Sequence, residues 1–384
     1  MPYRILHLAD LHLDRAFAGM GCQGDLARRR RLGLRDALRR AGEVAIARRC
    51  DAVTIGGDLY EHERADLETG RFLAETFAGW QPLRVLIAPG NHDPLLPDSL
   101  YAREDWPENV HVFRSTRLEP VALADGLTLW GLAHLDPAWR GDPLEHPPAD
   151  GDGGVHLALF HGAEMGDRPE GKSAHGPFDA RRIAERGFAA ALSGHYHRRR
   201  LDPGNRLVYP GSPEPLTFDE DGDRGPVLVT VDEKGDVAFE PLALNTWWAA
   251  TATCDLDGAR SFGSVLDRAA ASARSAAAAG NPERGMVRLE LRGDLVPEVT
   301  LDLPSIEVHA REAAGLATVQ VRDLSDPALD LAAAASDPTA RGVFTRQVLA
   351  SLDAAATDPR EHEILADALR YGLQALGGVE VGLR

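Results

Sequence analysis

The first 245 residues alternate short aliphatic runs with longer polar stretches that carry apolar residues at helical spacing. Short aliphatic runs bounded by Gly, Pro, Asn or Asp are typical of buried strands. We predict strands at Arg4–Leu8, Ala52–Ile55, Arg84–Ala88, Leu127–Leu132, Val155–Phe160 and Ala189–Leu192. The stretches Asp25–Arg49 and Asp66–Ala78 predict amphipathic helices between these strands. The alternation predicts an α/β fold.

Two further runs, Val227–Val231 and Val237–Pro241, flank a polar turn and predict a hairpin that closes this domain. We place the domain boundary near Leu244–Trp247, which gives a first domain at 1–245 and a second at 246–384. The second domain is predicted to be a smaller α/β capping domain. Its expected elements are a helix at Ala259–Ala279, a strand at Met286–Leu291, and helices at Gly342–Ala355 and Arg360–Leu376.

Composition and charge restrict the class of protein. The chain has 384 residues, of which 44% are hydrophobic and 26% charged, and no apolar run approaches the roughly 20 residues of a membrane span. No secretory leader is recognisable, so we expect a globular protein of the cytoplasm without membrane contact. The net charge of −17 disfavours bulk electrostatic attraction to nucleic acid, so any DNA contact has to use local basic clusters.

Five short motifs follow predicted strands. Open α/β sheets bind ligands beyond the carboxyl ends of their strands, so the motif side chains should converge. Carboxylate, imidazole and amide ligands without thiolate suit manganese, iron or zinc better than calcium. We therefore predict two divalent metal ions, with Mn²⁺ expected and Fe or Zn as alternatives. The predicted ligands are Asp10, His12, Asp58, Asn91, His161, His195 and His197.

One histidine of these motifs is expected to have a different role. His92 directly follows the predicted ligand Asn91 in the sequence Gly90-Asn91-His92-Asp93. An imidazole next to a metal site, but outside the ligand set, can protonate a departing alkoxide or stabilise charge on phosphoryl oxygens. We therefore predict His92 as the catalytic residue.

Taken together, the motifs resemble those of calcineurin-like metallophosphoesterases. The segments Arg4–Leu13, Asp51–Tyr60 and Tyr209–Pro213 are similar to SbcD/YhaO-type DNA repair exonucleases. The resemblance implies a four-layer α/β/β/α sandwich and a two-metal phosphodiesterase that cuts DNA as an exonuclease or endonuclease. It implies that Asp58 bridges the ions, one held with Asp10, His12 and His197, the other with Asn91, His161 and His195.

The resemblance also implies substrates and partners. DNA ends, single- or double-stranded, would be the substrate, and an SbcC/YhaN-like coiled-coil ATPase would be the partner, since this chain has no P-loop and no long heptad run. A homodimer is left open. Where several relatives have His or Asp three residues after the bridging Asp, this chain has Glu61. The residues expected to contact substrate are Glu61, His62, Arg198 and Arg199.

Two other functions stay open at this point. A small-molecule phosphodiesterase or phosphatase acting on nucleotides would keep the metals and would suit the negative net charge. A binding subunit would use the same fold to hold a partner or a DNA end without cutting it.

The first predicted helix contains a basic cluster. This cluster is either a DNA-contacting or a solvated face, and its residues are Arg28, Arg29, Arg30, Arg31, Arg35, Arg39 and Arg40.

Overall fold

The computed structural model describes residues 2–146, 154–166, 174–296, 298–355 and 359–377. The chain forms two compact units that interleave in sequence. The first contains Met1–Ala252, Ala273–Arg288 and Ala310–Gln320, and the second contains Thr253–Ser272, Leu289–His309 and Val321–Arg384. The boundary at residue 245 stays a prediction.

The regular elements alternate along the chain as the sequence pattern predicts. The strands are β1 (Tyr3–Leu8), β2 (Ala52–Ile55), β3 (Arg84–Ile87), β4 (Val110–Val112), β5 (Glu119–Ala124), β6 (Leu127–Gly131), β7 (Val155–His161), β8 (Ala190–Gly194), β9 (Arg200–Asp202), β10 (Leu207–Tyr209), β11 (Val227–Val231), β12 (Val237–Pro241), β13 (Trp248–Asp255), β14 (Gly285–Arg292), β15 (Asp294–Leu295), β16 (Thr318–Asp323) and β17 (Asp326–Pro327). The helices are α1 (Gly24–Ala47), α2 (Leu67–Ala78), α3 (Leu100–Arg103), α4 (Arg182–Glu185), α5 (Phe262–Ala277), α6 (Leu303–Ala314), α7 (Leu331–Ser336), α8 (Ala340–Ala354) and α9 (Pro359–Leu376).

Two six-stranded sheets form the centre of the first unit. The first has the order β12-β11-β1-β2-β3-β4, and the second has the order β5-β6-β7-β8-β10-β9. Strands β1 to β4 are parallel in one sheet, and β6, β7, β8 and β10 are parallel in the other. The predicted hairpin of β11 and β12 pairs antiparallel onto β1. The described residues also form a three-stranded sheet, β13-β14-β16, and the short pair β15-β17.

Side chains alternate between the two faces of each central strand, so each sheet buries both faces. In β1, Ile5 belongs to the core between the sheets, whereas Leu6 and Leu8 belong to the core under the helices. In β7, Leu157 belongs to the inter-sheet core, whereas Phe160 belongs to the outer core of the second sheet. Each fully buried Leu or Phe contributes roughly 1.5–3 kcal/mol from the area removed from water.

The outer layers differ between the two sheets. Helices α1 and α2 cover the first sheet, and Leu34 and Leu38 of α1 are among the buried residues of that core. In the described part of the chain, the outer core of the second sheet includes Ile183 from the four-residue helix α4 and Phe178 from irregular chain. The α/β class and the sandwich of two packed sheets are confirmed, with a thin helical layer on the second sheet.

Helix α1 buries an arginine on its apolar face. The guanidinium of Arg30 lies between the rings of Phe17 and Trp247, 4.6 Å from each ring centroid, and donates to the carbonyl of Pro215. Arg30 is fully buried, so the basic cluster of α1 is not a uniformly solvated face. Burial also places the Arg30 charge out of reach of a DNA phosphate.

Among the described residues, no helix combines the length and apolar character needed to cross a membrane. The second unit contains the three C-terminal helices α7, α8 and α9, which pack around a small core of Ala334, Leu369 and Leu373. Of these, α8 and α9 were expected from the sequence at nearly the same bounds.

Candidate metal centre

The predicted ligands follow the carboxyl ends of five parallel strands, three from the first sheet and two from the second. Asp10 and His12 follow β1, Asp58 follows β2 and Asn91 follows β3. His161 is the last residue of β7. His195 and His197 follow β8. Potential ligand atoms within 4.8 Å of one another form the groups Asp10 with His12 and His197, and Asp10 with Asp58 and His161.

The carboxylate of Asp58 lies at the centre of the cluster. Its Oδ2 is 3.6 Å from Nε2 of His12 and 3.4 Å from Nε2 of His161. Its Oδ1 accepts a hydrogen bond of 2.8 Å from the backbone N–H of His92. One oxygen is therefore anchored, and the other faces one imidazole from each predicted ion site, which is the position required of a bridging carboxylate.

Three of the imidazoles have their Nδ1 atoms against oxygen atoms outside the centre. An imidazole that donates from Nδ1 keeps its Nε2 lone pair for a metal. The Nδ1 contacts are His12 with Oε1 of Glu61 at 3.0 Å, His161 with the carbonyl of Gly56 at 2.9 Å, and His197 with Oε1 of Glu220 at 2.9 Å. The Nε2 atoms of His12 and His197 are 3.2 Å apart. Two lone pairs at this separation suit a shared cation.

The remaining ligands lie on the His161 side. Nε2 of His161 is 3.0 Å from Oδ1 of Asn91 and 3.3 Å from Nδ1 of His195. The backbone N–H of His195 donates to both carboxylate oxygens of Asp10, at 3.1 and 3.2 Å. Asp10 thus ties the loop after β8 to the loop after β1.

The backbone at the site is strained in a way that converges the side chains. Asp10, His12, Asp58 and His195 all have positive φ values, of 54°, 48°, 52° and 124°. Non-glycine residues rarely adopt this region, and such strain concentrates at functional sites. A Cβ at Gly90 would lie 2.5 Å from Oδ1 of Asp58, so glycine is required there for the close approach of the two loops.

Asp93 connects the β2 and β3 loops. Its carboxylate accepts hydrogen bonds from the backbone N–H groups of Asp58 at 2.9 Å, Leu59 at 2.7 Å and Gly90 at 2.7 Å, and from the hydroxyl of Tyr101 at 2.6 Å. A buried carboxylate with four donors holds its surroundings rigidly. Asp93 therefore positions Asp58 without facing the centre.

Burial keeps most of the site imidazoles neutral. It lowers the pKa of His12, and it lowers the pKa values of His161 and His195 to about 3. Neutral imidazole is the form that binds metal. At His197, burial lowers the pKa, but the hydrogen bond to Glu220 and the charge of Asp10 raise it by more.

The two central carboxylates differ in their surroundings. Burial raises the pKa of Asp10 to about 7, although the charge of His197 opposes this. Burial also raises the pKa of Asp58, but the nearby His161, His12 and His92 lower it by more, so the net shift is downward. The buried carboxylate of Asp10 needs positive charge to remain ionised, and divalent cations would supply it. The donor set therefore fits the implied metal ions.

His92 lies at the exposed rim, with 44% of its side chain accessible. Its Nδ1 is 2.8 Å from Oε2 of Glu61, and this hydrogen bond raises the pKa of His92 to about 9 against the opposing effect of burial. Glu61 also contacts Nδ1 of His12 with its other oxygen. The position of Glu61 between these rings gives it a positioning role that the sequence pattern did not indicate.

The other residues expected to contact substrate have varied surroundings, and their role stays a prediction. Arg198 is exposed directly after His197. The guanidinium of Arg199 donates to the carbonyls of Leu242 at 2.8 Å and Gly225 at 2.9 Å. Nε2 of His62 lies 3.6 Å from a carboxylate oxygen of Asp98.

Glu220 was not identified from the sequence. Beside His197, its carboxylate accepts from the Ser212 hydroxyl at 2.5 Å and the Leu216 N–H at 2.9 Å, and Nη2 of Arg224 lies 3.3 Å away. Burial raises the pKa of Glu220, but the hydrogen bond to His197, the charges of His197 and Arg224, and the hydrogen bond from Ser212 lower it by more, to about 2. Only the general tendency of metal-binding histidines to pair with carboxylates could have suggested such a residue.

The amino-acid sequence matches a known family of proteins. Residues 3–199, just over half of the chain, match the family model of calcineurin-like phosphoesterases. YhaO of Bacillus subtilis (strain 168), named as an uncharacterized metallophosphoesterase, is 26% identical over 309 residues, which cover 78% of this chain and 74% of the relative.

Two relatives are named for DNA repair or nuclease activity. The DNA double-strand break repair protein Mre11 of Methanopyrus kandleri is 27% identical over 287 residues, 67% of this chain and 60% of the relative. A subunit of the nuclease SbcCD of Rhodobacter capsulatus is 30% identical over 95 residues, 24% of this chain and 22% of the relative. The fold, the motif residues at the strand ends and the family match agree: the chain belongs to the calcineurin-like phosphoesterases, metal-dependent hydrolases of phosphoester bonds.

Proposed function

We propose that this protein is a two-metal DNA phosphodiesterase that acts as an exonuclease or endonuclease in DNA repair in the cytoplasm. The observation that carries the proposal is the position of Asp58 Oδ2 between Nε2 of His12 and Nε2 of His161, with His92 at the accessible rim. The relatives named as Mre11 and as part of the nuclease SbcCD support DNA as the substrate. Manganese is the metal proposed, with iron or zinc as alternatives.

Some side chains of the site would bind the metal ions, and one would transfer a proton. Bound divalent ions would stabilise the negative charge that develops on the phosphoryl oxygens. His12, His161 and His197 offer Nε2 because their Nδ1 atoms are held by oxygen acceptors. His92 contacts Glu61 through Nδ1, so Nε2 is the ring atom that could donate to a substrate. We assign His92 the donation of a proton from Nε2 to the leaving oxygen.

A small-molecule phosphodiesterase is the second candidate. The same metal centre would hydrolyse nucleotide esters, and the net charge of −17 disfavours long polyanions more than small ones. The two functions predict different substrate preferences and the same dependence on Asp58 and His92.

The test compares substrates and variants under identical conditions. Purified full-length protein with Mn²⁺ is incubated with end-labelled linear single- and double-stranded DNA and with bis(p-nitrophenyl) phosphate. Asp58→Ala should lose bound metal and activity together. His92→Ala should retain metal, measured by elemental analysis, and lose turnover by roughly 10²–10⁴-fold.

The products separate the candidates. DNA cleavage by the wild type that is lost in both variants supports the nuclease. The labelled products of the wild type show the direction of cleavage. Hydrolysis of the chromogenic diester with intact DNA favours the small-substrate enzyme, and full DNA cleavage by His92→Ala contradicts the assigned proton donor. Metal-dependent DNA binding without hydrolysis of any ester would support a binding subunit.

The proposed partner is a coiled-coil ATPase of the SbcC/YhaN kind. The support is the name of one relative, which describes it as a subunit of the nuclease SbcCD. We test it by co-purification and by the ATP dependence of cleavage of blocked DNA ends. Light scattering of the purified chain tests the homodimer.

A further inference from the structure

A pocket of about 400 Å³ lies in the first unit, beside the candidate metal centre. Its walls come from the loop after β1, including Arg15 and Phe17, and from the loop that contains Phe218. Arg288, also in the first unit, completes the rim. The volume lies within the range of sites for small organic ligands. None of the predicted metal ligands lines this pocket.

Glu61 connects the pocket to the metal centre. Its carboxylate is part of the pocket wall, and its two oxygens also contact the Nδ1 atoms of His12 and His92. Nη1 of Arg15, on the same wall, lies 3.5 Å from Oε1 of Glu61. A ligand in the pocket would therefore lie next to a phosphate held at the centre, on the side where His92 is exposed.

The chemistry of the walls favours a flat aromatic group with a negative neighbour. The guanidinium of Arg288 lies over the ring of Phe218, 4.9 Å from its centroid, and its Nη1 donates to the Asp219 carboxylate at 2.9 Å. Phe218 is 1% exposed and the Arg288 side chain is 19% exposed, so Arg288, rather than the ring, is accessible to a ligand in the pocket. Nucleobases stack on arginine guanidinium planes as well as on aromatic rings.

The rim also carries more positive than negative groups. Arg15, Arg64 and Arg288 line the pocket together with the two carboxylates of Glu61 and Asp219. Arg64 donates from Nε to the backbone carbonyl of Asp14. A carbonyl has no net charge, so this contact does not neutralise the guanidinium. In a chain of net charge −17, this local excess of arginine is suited to a phosphate-bearing ligand.

We propose that this pocket is a nucleoside subsite, which holds the base and sugar next to the scissile phosphate with the base stacked on Arg288. The proposal rests on the phosphodiesterase function and names its substrate class. It requires that a nucleoside on the ester accelerates hydrolysis. It also requires that Arg288 is needed for this acceleration but not for hydrolysis itself.

The test uses three diesters with one leaving group: methyl p-nitrophenyl phosphate, thymidine 5′-(p-nitrophenyl phosphate) and thymidine 3′-(p-nitrophenyl phosphate). Full-length protein with Mn²⁺ is assayed for kcat/KM on each diester, and linear DNA is assayed in parallel. We expect at least one thymidine ester to exceed the methyl ester by about fivefold or more, the gain given by stacking one base.

Arg288→Ala should remove most of this gain and leave kcat/KM for the methyl ester unchanged. Arg288→Lys should lose nearly as much, because lysine keeps the charge but not the planar surface. Arg284→Ala is the matched control, since Arg284 is an exposed arginine outside the pocket lining. Gly19→Trp provides a second approach: Gly19 lines the pocket, and a Cβ there meets no atom within 4 Å. The added ring should reduce hydrolysis of the thymidine esters and leave hydrolysis of the methyl ester unchanged.

The outcomes distinguish the subsite from the function on which it rests. Hydrolysis of the methyl ester and of DNA without a nucleoside gain overturns the subsite and leaves the phosphodiesterase intact. A gain that survives both Arg288→Ala and Gly19→Trp also overturns it. Failure to hydrolyse any diester, DNA included, overturns the proposed function, and the subsite with it. If Arg288→Ala does not fold by circular dichroism, Gly19→Trp decides.

Discussion

Oε1 of Glu220 lies 2.9 Å from Nδ1 of His197, and its other oxygen is fixed by the Ser212 hydroxyl. This carboxylate orients a predicted ligand whose Nε2 faces the centre. Glu220→Gln keeps the shape but weakens the acceptor, and loss of such partners lowers metal affinity by roughly 10–100-fold. Titration calorimetry with Mn²⁺ on metal-free protein measures the effect.

Glu240→Gln is the matched control for that experiment, because Glu240 pairs with Arg48 at the surface. Its affinity for Mn²⁺ should equal that of the wild type. Equal affinities in Glu220→Gln and the wild type would show that Glu220 only stabilises the loop. Denaturation of both variants in EDTA separates a folding defect from a weaker metal site.

Glu61 is predicted to act on two steps at once, because it contacts both His12 and His92. Glu61→Ala should lower Mn²⁺ affinity through His12 and kcat through His92. His92→Ala, in contrast, should lower kcat alone. Glu63→Ala controls for the exposed acidic surface beside it. A Glu61→Ala enzyme with normal kcat at saturating Mn²⁺ would show that His92 needs no orienting carboxylate.

The sequence was sufficient to predict the strands that carry the ligands, because each motif lies within a few residues of the strand that positions it. Asp10 follows β1 and His195 follows β8 in direct continuation, so local pattern and spatial position coincide. The same holds for the hairpin of β11 and β12, which has the predicted bounds. The convergence of the five loops follows from the rule that open α/β sheets bind ligands beyond the carboxyl ends of their strands.

The supporting roles of Glu61 and Glu220 could not be predicted, since their histidine partners are distant in sequence. Glu61 was expected only as a contact to substrate. Glu61 meets His12 across 49 positions, and Glu220 reaches His197 from an irregular loop. Arg30 is also instructive, because the run of arginines in the first helix predicts an exposed face that is either solvated or in contact with DNA. The packing of Phe17 and Trp247 around its guanidinium instead buries it. Such contacts depend on tertiary packing, which has no local pattern in the sequence.

Metal removal should destabilise the fold measurably. Ligand binding to the native state alone stabilises it by about 2.7 kcal/mol at a free concentration of 100 times Kd. Thermal unfolding followed by circular dichroism should therefore show a higher midpoint with Mn²⁺ than with EDTA. Asp10→Asn should lose this Mn²⁺-dependent rise. In EDTA it should be at least as stable as the wild type, because it removes a buried carboxylate that lacks a cation. An unchanged response to Mn²⁺ would place the ions elsewhere.

His7 should make the metal-free protein sensitive to mild acid. The ring is fully buried, with Nδ1 3.0 Å from Oγ1 of Thr54 and Nε2 3.2 Å from the carbonyl of Ser193. Burial lowers the pKa of His7 to about 4, from a value near 6.5 in the unfolded chain. Between these two values the unfolded chain binds the proton and the folded chain does not, so stability falls as pH decreases from about 6.5 to about 4.

The loss assigned to His7 is roughly 3 kcal/mol over the whole interval, and the contribution is absent above pH 7. Urea unfolding in EDTA at pH 7.5, 6 and 5 measures it as the difference between the wild type and His7→Gln. Glutamine keeps a donor for the Ser193 carbonyl and does not titrate. Other buried histidines contribute to the pH dependence of both proteins and cancel in the difference. His309→Gln alters an exposed ring of α6 and should retain the wild-type slope. If His7→Gln also retains it, the folded protein accommodates the charged ring, and the acid sensitivity arises from other groups.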